Sequence, residues 1–297
     1  MRVEKQVKYV IVGGVAGGAT AAARIRRNGE QHQILLFEKG EYISYANCGL
    51  PYYIGGVIED RERLFVRTPE TFGQRFNIDV RINSEVVAID REAKVVKVRM
   101  SDGREYDESY DKLLLSPGAL PVRPPLPGID SEGIFTLRNV SDTDRIKGYI
   151  RSRRIERAVI VGGGFIGLEM AENLHHAGAE VSVVEMAPQV MAPIDFSMAS
   201  FVHQHLQQKG VKLYLEEAVE SFEKSGKGLR VKFKSGSTLE TDIVILSIGV
   251  RANTSLAQQA GLELGSMKGI LVNEYLQTSD ENIYAVGDAI EFPHPLT

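Results

Sequence analysis

The chain has 297 residues, 43% of them hydrophobic and 25% charged, with a formal net charge of -4. That length holds two domains with their own cores, the acidic balance argues against binding a nucleic-acid backbone, and no apolar run reaches membrane-span length. One cysteine excludes an internal disulfide framework and a cysteine-rich metal site, and fits a reducing cytoplasm.

Residues 1–8 lean basic and 9–23 are small and apolar, ending in Ala21-Ala22-Ala23, the outline of a signal peptide. The continuation argues otherwise. Arg24-Ile25-Arg26-Arg27 leads into Ile34-Leu35-Leu36-Phe37-Glu38, a short buried strand ending in an acid. With the strand Tyr9-Val10-Ile11-Val12 and the glycine turn from Gly13, this spells a nucleotide-binding βαβ unit. Next comes the only cysteine, in Ser44-Tyr45-Ala46-Asn47-Cys48-Gly49-Leu50-Pro51-Tyr52-Tyr53. Pro51 and the aromatics predict a helix beginning around Cys48.

Residues 86–100, the Ser101-Asp102-Gly103 turn and 105–115 predict a β-meander feeding a buried strand. Four prolines in 121–127 mark a stiff connector and a domain boundary. Then the pattern repeats. Ala158-Val159-Ile160-Val161 precedes Gly162-Gly163-Gly164-Phe165-Ile166-Gly167, and Val181-Ser182-Val183-Val184 ends in Glu185. A second meander is expected over 229–233, the Ser235-Gly236 turn and 243–248, with the basic stretch 224–234 read as a solvated hairpin. The expected fold is α/β, two tandem doubly wound Rossmann-like domains, each with a β-meander. The first spans 1–120 plus 249–297 and the second 121–248. The chain then stops soon after Asp288, as though a C-terminal portion were absent.

The spacing Gly162-x-Gly164-x-x-Gly167 has a mechanism. The first glycine permits a tight turn, the second lets backbone approach a pyrophosphate, and the third packs helix on strand. The helix N-terminus then offers free N–H groups to the phosphates. Glu185 can accept from a ribose 2′-hydroxyl and repels a 2′-phosphate, which favours NADH over NADPH. In the first loop Gly13 and Gly18 take the outer positions, but Val15 stands where the middle glycine belongs, with Ala16 beside it. Glu38 suits an adenosine ribose. Taken alone, that loop also allows the lesser reading of a tight structural turn. The third signature, Thr278-x-x-x-x-x-Tyr284-Ala285-Val286-Gly287-Asp288, puts an acid after a short strand at the start of a predicted helix. Such an aspartate bonds the ribityl chain of a flavin, or is simply a helix cap.

These motifs, in this order, resemble the FAD-dependent pyridine nucleotide–disulfide oxidoreductases, of the glutathione-reductase-like fold, over essentially the whole chain. The Ser44–Tyr52 wording resembles the single-cysteine branch, above all coenzyme A disulfide reductases and the subgroup that carries a C-terminal rhodanese domain and reduces CoA persulfides or polysulfide. The single-cysteine oxidases and peroxidases carry a histidine in the first glycine loop where this chain has Ala16, and the dithiol branch needs a second cysteine. The resemblance implies FAD at Gly13, Val15, Ala16, Gly18, Glu38, Lys39, Val86, Ser116, Gly118, Arg138 and Asp288. It implies the nicotinamide cofactor at Gly162, Gly164, Phe165, Ile166, Gly167, Glu185 and Gly249, with Glu169 near the flavin–nicotinamide contact. CoA falls to Arg24, Arg27, Ser44 and Asn47. Where some relatives hold the CoA phosphate with a lysine this chain has Phe76, and Arg75 beside it is the expected substitute. The family usually forms homodimers through the C-terminal portion, whose tyrosine assists the partner.

The expected chemistry is that Cys48, as a thiolate, attacks the sulfur of a CoA disulfide or persulfide. Two alternatives stay open: an NADH oxidase or peroxidase cycling Cys48 through sulfenic acid, and a flavin redox sensor without turnover. The histidine pairs 175–176 and 203/205 show no metal-ligand pattern. Met186, Met191 and Met198 are expected to line a core or cleft.

Overall fold

The computed structural model describes residues 5–292. The chain end expected beyond Phe292 lies outside the described residues. No helix among them is long and apolar enough to cross a membrane. The chain divides into two compact units.

The first unit contains the described residues up to Tyr45, then Phe65–Leu120, then those from Arg251. Its centre is a parallel sheet in the order Ile283–Ala285, Lys112–Leu115, Lys8–Val12, Gln33–Phe37, Asp79–Arg81. Side chains alternate between its faces, as strand geometry requires. Ile11, Ile34 and Leu36 pack with Ala19, Ala22 and Ala23 of the helix Ala16–Asn28. Val10, Leu35 and Leu113 face the other way, onto Val86, Val96 and Val98 of the antiparallel meander Ser84–Asp90, Val95–Met100, Glu105–Ser109. Small alanines let the helix lie close to the sheet, which is why this stretch reads as Ala-rich.

The second unit contains Ala46–Leu64 and Pro121–Val250. Its parallel sheet runs Ile134–Thr136, Ile243–Leu246, Arg157–Val161, Glu180–Val184, Lys212–Tyr214. The meander is Val219–Ser225, Gly228–Phe233, Thr238–Thr241, and its Phe222, Leu229, Val231 and Phe233 cover Val159, Val161 and Leu246. Its first strand extends beyond the hairpin read from the sequence.

Three expectations change. The segment 46–64, carrying Cys48, belongs to the unit of 121–250. No helix follows Asp288 among the described residues: Gly287–Ala289 is one 3-10 turn, and Ile290–Glu291 is a strand beside Ile270–Leu271. Ile270 and Ala289 are fully buried, so the extended path anchors the end of the sheet. Met186 and Met198 are 75% and 55% exposed and belong to no core.

Candidate active site

In both parallel sheets the chain leaves neighbouring central strands in opposite directions, which opens a crevice at their C-terminal ends. The first unit holds the expected FAD residues except Arg138, and its glycine loop meets the following strand ends here. Gly13 has φ +98°, and a Cβ on it would lie 2.1 Å from Ser116 O. A Cβ on Gly18 would lie 1.8 Å from Gly13 O, so only glycine lets the helix approach the strand end. Gly17, which the sequence motif does not single out, is as constrained: its Cβ would meet Ser116 Oγ at 2.6 Å and Val286 at 3.0 Å. The doubled glycine at 17–18 was the available signal. Ser116 and the turn before Asp288 thus border the helix start. Glu38 accepts from Gly14 N (2.9 Å) and Gly40 N (2.8 Å), which aims its carboxylate across the loop. Lys39 follows it, Gly118 has φ +69°, and Val86 sits beside a bulge in its strand. Thr278 acts locally: its hydroxyl donates to Ile283 O (2.9 Å) and accepts from Asp280 N (3.1 Å), closing the turn before the last strand.

The same unit brings three expected CoA residues together. The Arg27 and Arg75 guanidiniums lie 5.8 and 5.7 Å from the centre of the Phe76 ring. Arg24 is exposed one turn before Arg27. Arg26, between them, is buried and donates to the carbonyls of Phe76, Gly29, Glu30 and Asn77, so it ties helix ends together. Ser44 has φ +47°, a strained value for a residue with a side chain, held by its N–H to Gly14 O (3.0 Å).

The second unit repeats the loop. Gly162 has φ +107° and a Cβ on it would lie 2.4 Å from Ser247 O, while one on Gly167 would lie 2.0 Å from Gly162 O. Around Gly164 there is no atom within 4 Å of a Cβ position. Glu185 accepts from Gly163 N (2.7 Å) and Ala187 N (2.9 Å). Phe165 and Ile166 are 63% and 40% exposed. Gly249, φ +104°, follows the neighbouring strand, and Arg138 follows the edge strand and belongs to this unit. The helices Ala16–Asn28 and Phe165–His176 have neither a side-chain cap nor an acid in the first turn. By contrast Thr68 and Asn139 cap Pro69–Phe76 and Val140–Ser152. Open N–H groups, a glycine turn and an acid bonded to the loop fit a dinucleotide in each unit.

Cys48 is exposed, in the 3-10 turn Asn47–Gly49, and the α-helix starts only at Leu50. Asn47 shares that turn. Gly49 N donates to Ala46 O (2.9 Å), and Pro51, lacking an N–H, sits in the first helical turn. The surroundings are acidic. The nearby Glu172 carboxylate, then burial, Glu169 and Cys48 itself, push the Tyr52 hydroxyl up; burial and then Glu172 raise Glu169. Cys48, Tyr52, Glu169 and Glu172 therefore form one electrostatic group, of which the sequence marked only Cys48 and Glu169. His203 also has an unforeseen role: its Nε2 accepts from Val190 N (3.1 Å).

A family model described as pyridine nucleotide-disulphide oxidoreductase matches residues 7–295. Among curated proteins, the NADH oxidase of Methanocaldococcus jannaschii is 37% identical over 286 residues, 96% of this chain and 63% of that protein. The coenzyme A disulfide reductase of Staphylococcus aureus is 36% identical over 282 residues, 95% and 63% of the two chains. Among solved structures, reduced CoADR-RHD of Bacillus anthracis gives a TM-score of 0.94 at 53% identity, covering 96% of this chain and 51% of that one. An NAD-dependent persulfide reductase from A. fulgidus gives 0.92 at 38% identity, covering 95% and 53%. The chain thus spans 63% of the length of these curated relatives.

Proposed function

The chain belongs to the pyridine nucleotide-disulphide oxidoreductases, and from that premise we propose that it forms the FAD- and NADH-handling portion of a reductase acting on CoA disulfide, CoA persulfide or polysulfide through Cys48. The observation that carries this reading is the only thiol of the chain, exposed on a turn in the same unit as the open glycine cradle at Gly164. In this reading Gly13, Gly18, Glu38, Ser116 and Asp288 hold FAD, and Gly162, Gly164, Gly167 and Glu185 hold NADH. FAD, when bound, supplies the two-electron relay between NADH and sulfur.

The chain's own part is nucleophilic. The Cys48 thiolate attacks one sulfur of the substrate S–S bond, which breaks as a new S–S bond forms to Cys48, and the other sulfur leaves as thiolate. The net exchange consumes NADH and a proton with each disulfide and releases two thiols, so Cys48 returns to its starting state. Arg27 and Arg75, with exposed Arg24, hold CoA phosphates by charge, and the Phe76 ring between them offers a stacking face. We place the full-length protein in the cytoplasm as a homodimer, on the strength of the single thiol in these 297 residues and the family's habit.

A second reading has support of its own: one relative is named an NADH oxidase. Ala16, where oxidases and peroxidases of this resemblance carry histidine, weighs against it. The deciding experiment is anaerobic NADH oxidation by the full-length, flavin-loaded protein with CoA disulfide, CoA persulfide or polysulfide, beside aerobic oxygen consumption. Sulfur-dependent turnover that Cys48→Ser abolishes, with NADH still bleaching the flavin, is the expected result. Rapid oxygen consumption without sulfur turnover selects the oxidase.

A further inference from the structure

Building on the Cys48 reading, we propose that Lys147, buried in the second unit, is a positioning residue for the thiol: it grips the C-terminal end of the short helix that begins two residues after Cys48. That helix, Leu50–Gly55, has six residues, too few to persist in water without outside support. Helix Val140–Ser152 supplies that support at two points one turn apart. Asp144 takes a bidentate pair from Arg61 (3.0 and 2.7 Å), fixing the far end of the 46–64 segment. Lys147, 8% exposed, donates from Nζ to Tyr53 O and lies 3.5 Å from the centre of the Tyr53 ring. A third anchor is steric. A Cβ on Gly55 would fall 2.7 Å from Asn173 Cβ and 2.9 Å from Asn173 O, so glycine lets the helix lie against Phe165–His176.

The charge is the informative part. A buried ammonium is costly to desolvate, and a methionine would fill the same volume more cheaply. Burial, with Arg151 next, pushes the Lys147 ammonium down. What the charge provides is a cation at the negative end of a helix, bonded to a carbonyl of its last turn. Gly56 N shares that carbonyl (3.3 Å), and Gly56 closes the helix at φ +86°. From there one hydrogen-bonded run reaches the thiol: through the helix, Leu50 N to Asn47 O, and Gly49 N to Ala46 O. A shift at Tyr53 is therefore passed to the turn that carries Cys48.

The test uses Lys147→Met and Lys147→Gln in the full-length, flavin-loaded protein; glutamine keeps a donor and loses the charge. We expect amide exchange over 50–56 to speed up about tenfold in the methionine variant and less in the glutamine one, with the strand Arg157–Val161 unchanged. We expect NADH to bleach the flavin at the wild-type rate while reoxidation by CoA disulfide slows about tenfold. Unchanged exchange over 50–56, or equal slowing of both half-reactions, overturns the proposal. If the wild type reduces no disulfide or persulfide, the functional reading fails instead. The positioning of the thiol is then decided by exchange together with the alkylation rate of Cys48, read by mass spectrometry on the peptide that carries it.

Discussion

The two glycine loops are built on one skeleton and differ at the positions inside it. Gly13 and Gly162 turn at φ +98° and +107°, and Gly18 and Gly167 leave no room for a Cβ against the first glycine's carbonyl. Glu38 and Glu185 each accept from the loop N–H one residue after the first glycine. The middle position is Val15 in one and Gly164 in the other, and around Gly164 the space is open. Strand, turn and helix make no demand there. A residue that the fold does not constrain reports on the ligand, so the loops differ where cofactors of different approach would differ. A second contrast lies two residues on. Gly17 packs under Ser116 and Val286, while its counterpart Ile166 is 40% exposed beside Phe165. The first crevice is lined by residues just past two of its own unit's strands, Ser116 and Val286; the second presents large apolar side chains.

The two sheets also share one strand order, although the edge strand comes last in the first unit, at Ile283–Ala285, and first in the second, at Ile134–Thr136. The element after that strand differs between the units. In the second unit Asn139 caps the helix Val140–Ser152, whose Lys147 and Asp144 hold the thiol segment. In the first unit a 3-10 turn with Asp288 takes its place.

The largest effect should come from the shared skeleton. Gly18→Ala and Gly167→Ala each force backbone apart at a contact of 1.8 or 2.0 Å, and each should destabilise its unit by about 3 kcal/mol. The comparison predicts different losses: Gly18→Ala gives colourless protein, while Gly167→Ala keeps its flavin but is not reduced by NADH. Loss of flavin from both would mean that the units do not divide the cofactors. A smaller, sharper test writes the first loop into the second. Gly164→Val should leave the melting temperature unchanged, because nothing lies near its Cβ, yet raise the KM for NADH about tenfold. An unchanged KM would show that the open cradle is not the nucleotide's.

The smallest effect is electrostatic. Burial and Glu172 raise the Glu169 pKa above the usual glutamate value. The folded state therefore holds that proton more tightly than the unfolded state, and this contribution to stability is present at low pH and lost as pH rises through the folded pKa. Glu169→Gln should accordingly raise the melting temperature at pH 8 by a degree or two and change little at pH 4. A shift of equal size at both values would rule out the burial and Glu172 account.

Much of this was legible in the sequence because it is local. A β-branched run, a glycine turn and an alanine-rich helix each declare themselves within twenty residues, and the second copy confirms the first. The acids Glu38 and Glu185 could be named because they end strands of the same unit. The route of 46–64 could not, since no local pattern states which sheet a six-residue helix will join. The run Arg24-Ile25-Arg26-Arg27 looks like a set of equal cations. Only packing separates Arg26, which holds four carbonyls, from Arg27, which faces Phe76. Lys147 reads as an ordinary helix lysine until the Tyr53 carbonyl arrives beside it.

The sequence by itself thus determined two doubly wound units, the glycine turns that close them and the identity of the one thiol, because backbone sterics and side-chain periodicity act over short stretches. Tertiary structure alone decided which unit carries that thiol and which charges are buried to hold it. Those depend on contacts between residues about a hundred positions apart, such as Tyr53 with Lys147 and Gly55 with Asn173, which no spacing along the chain encodes.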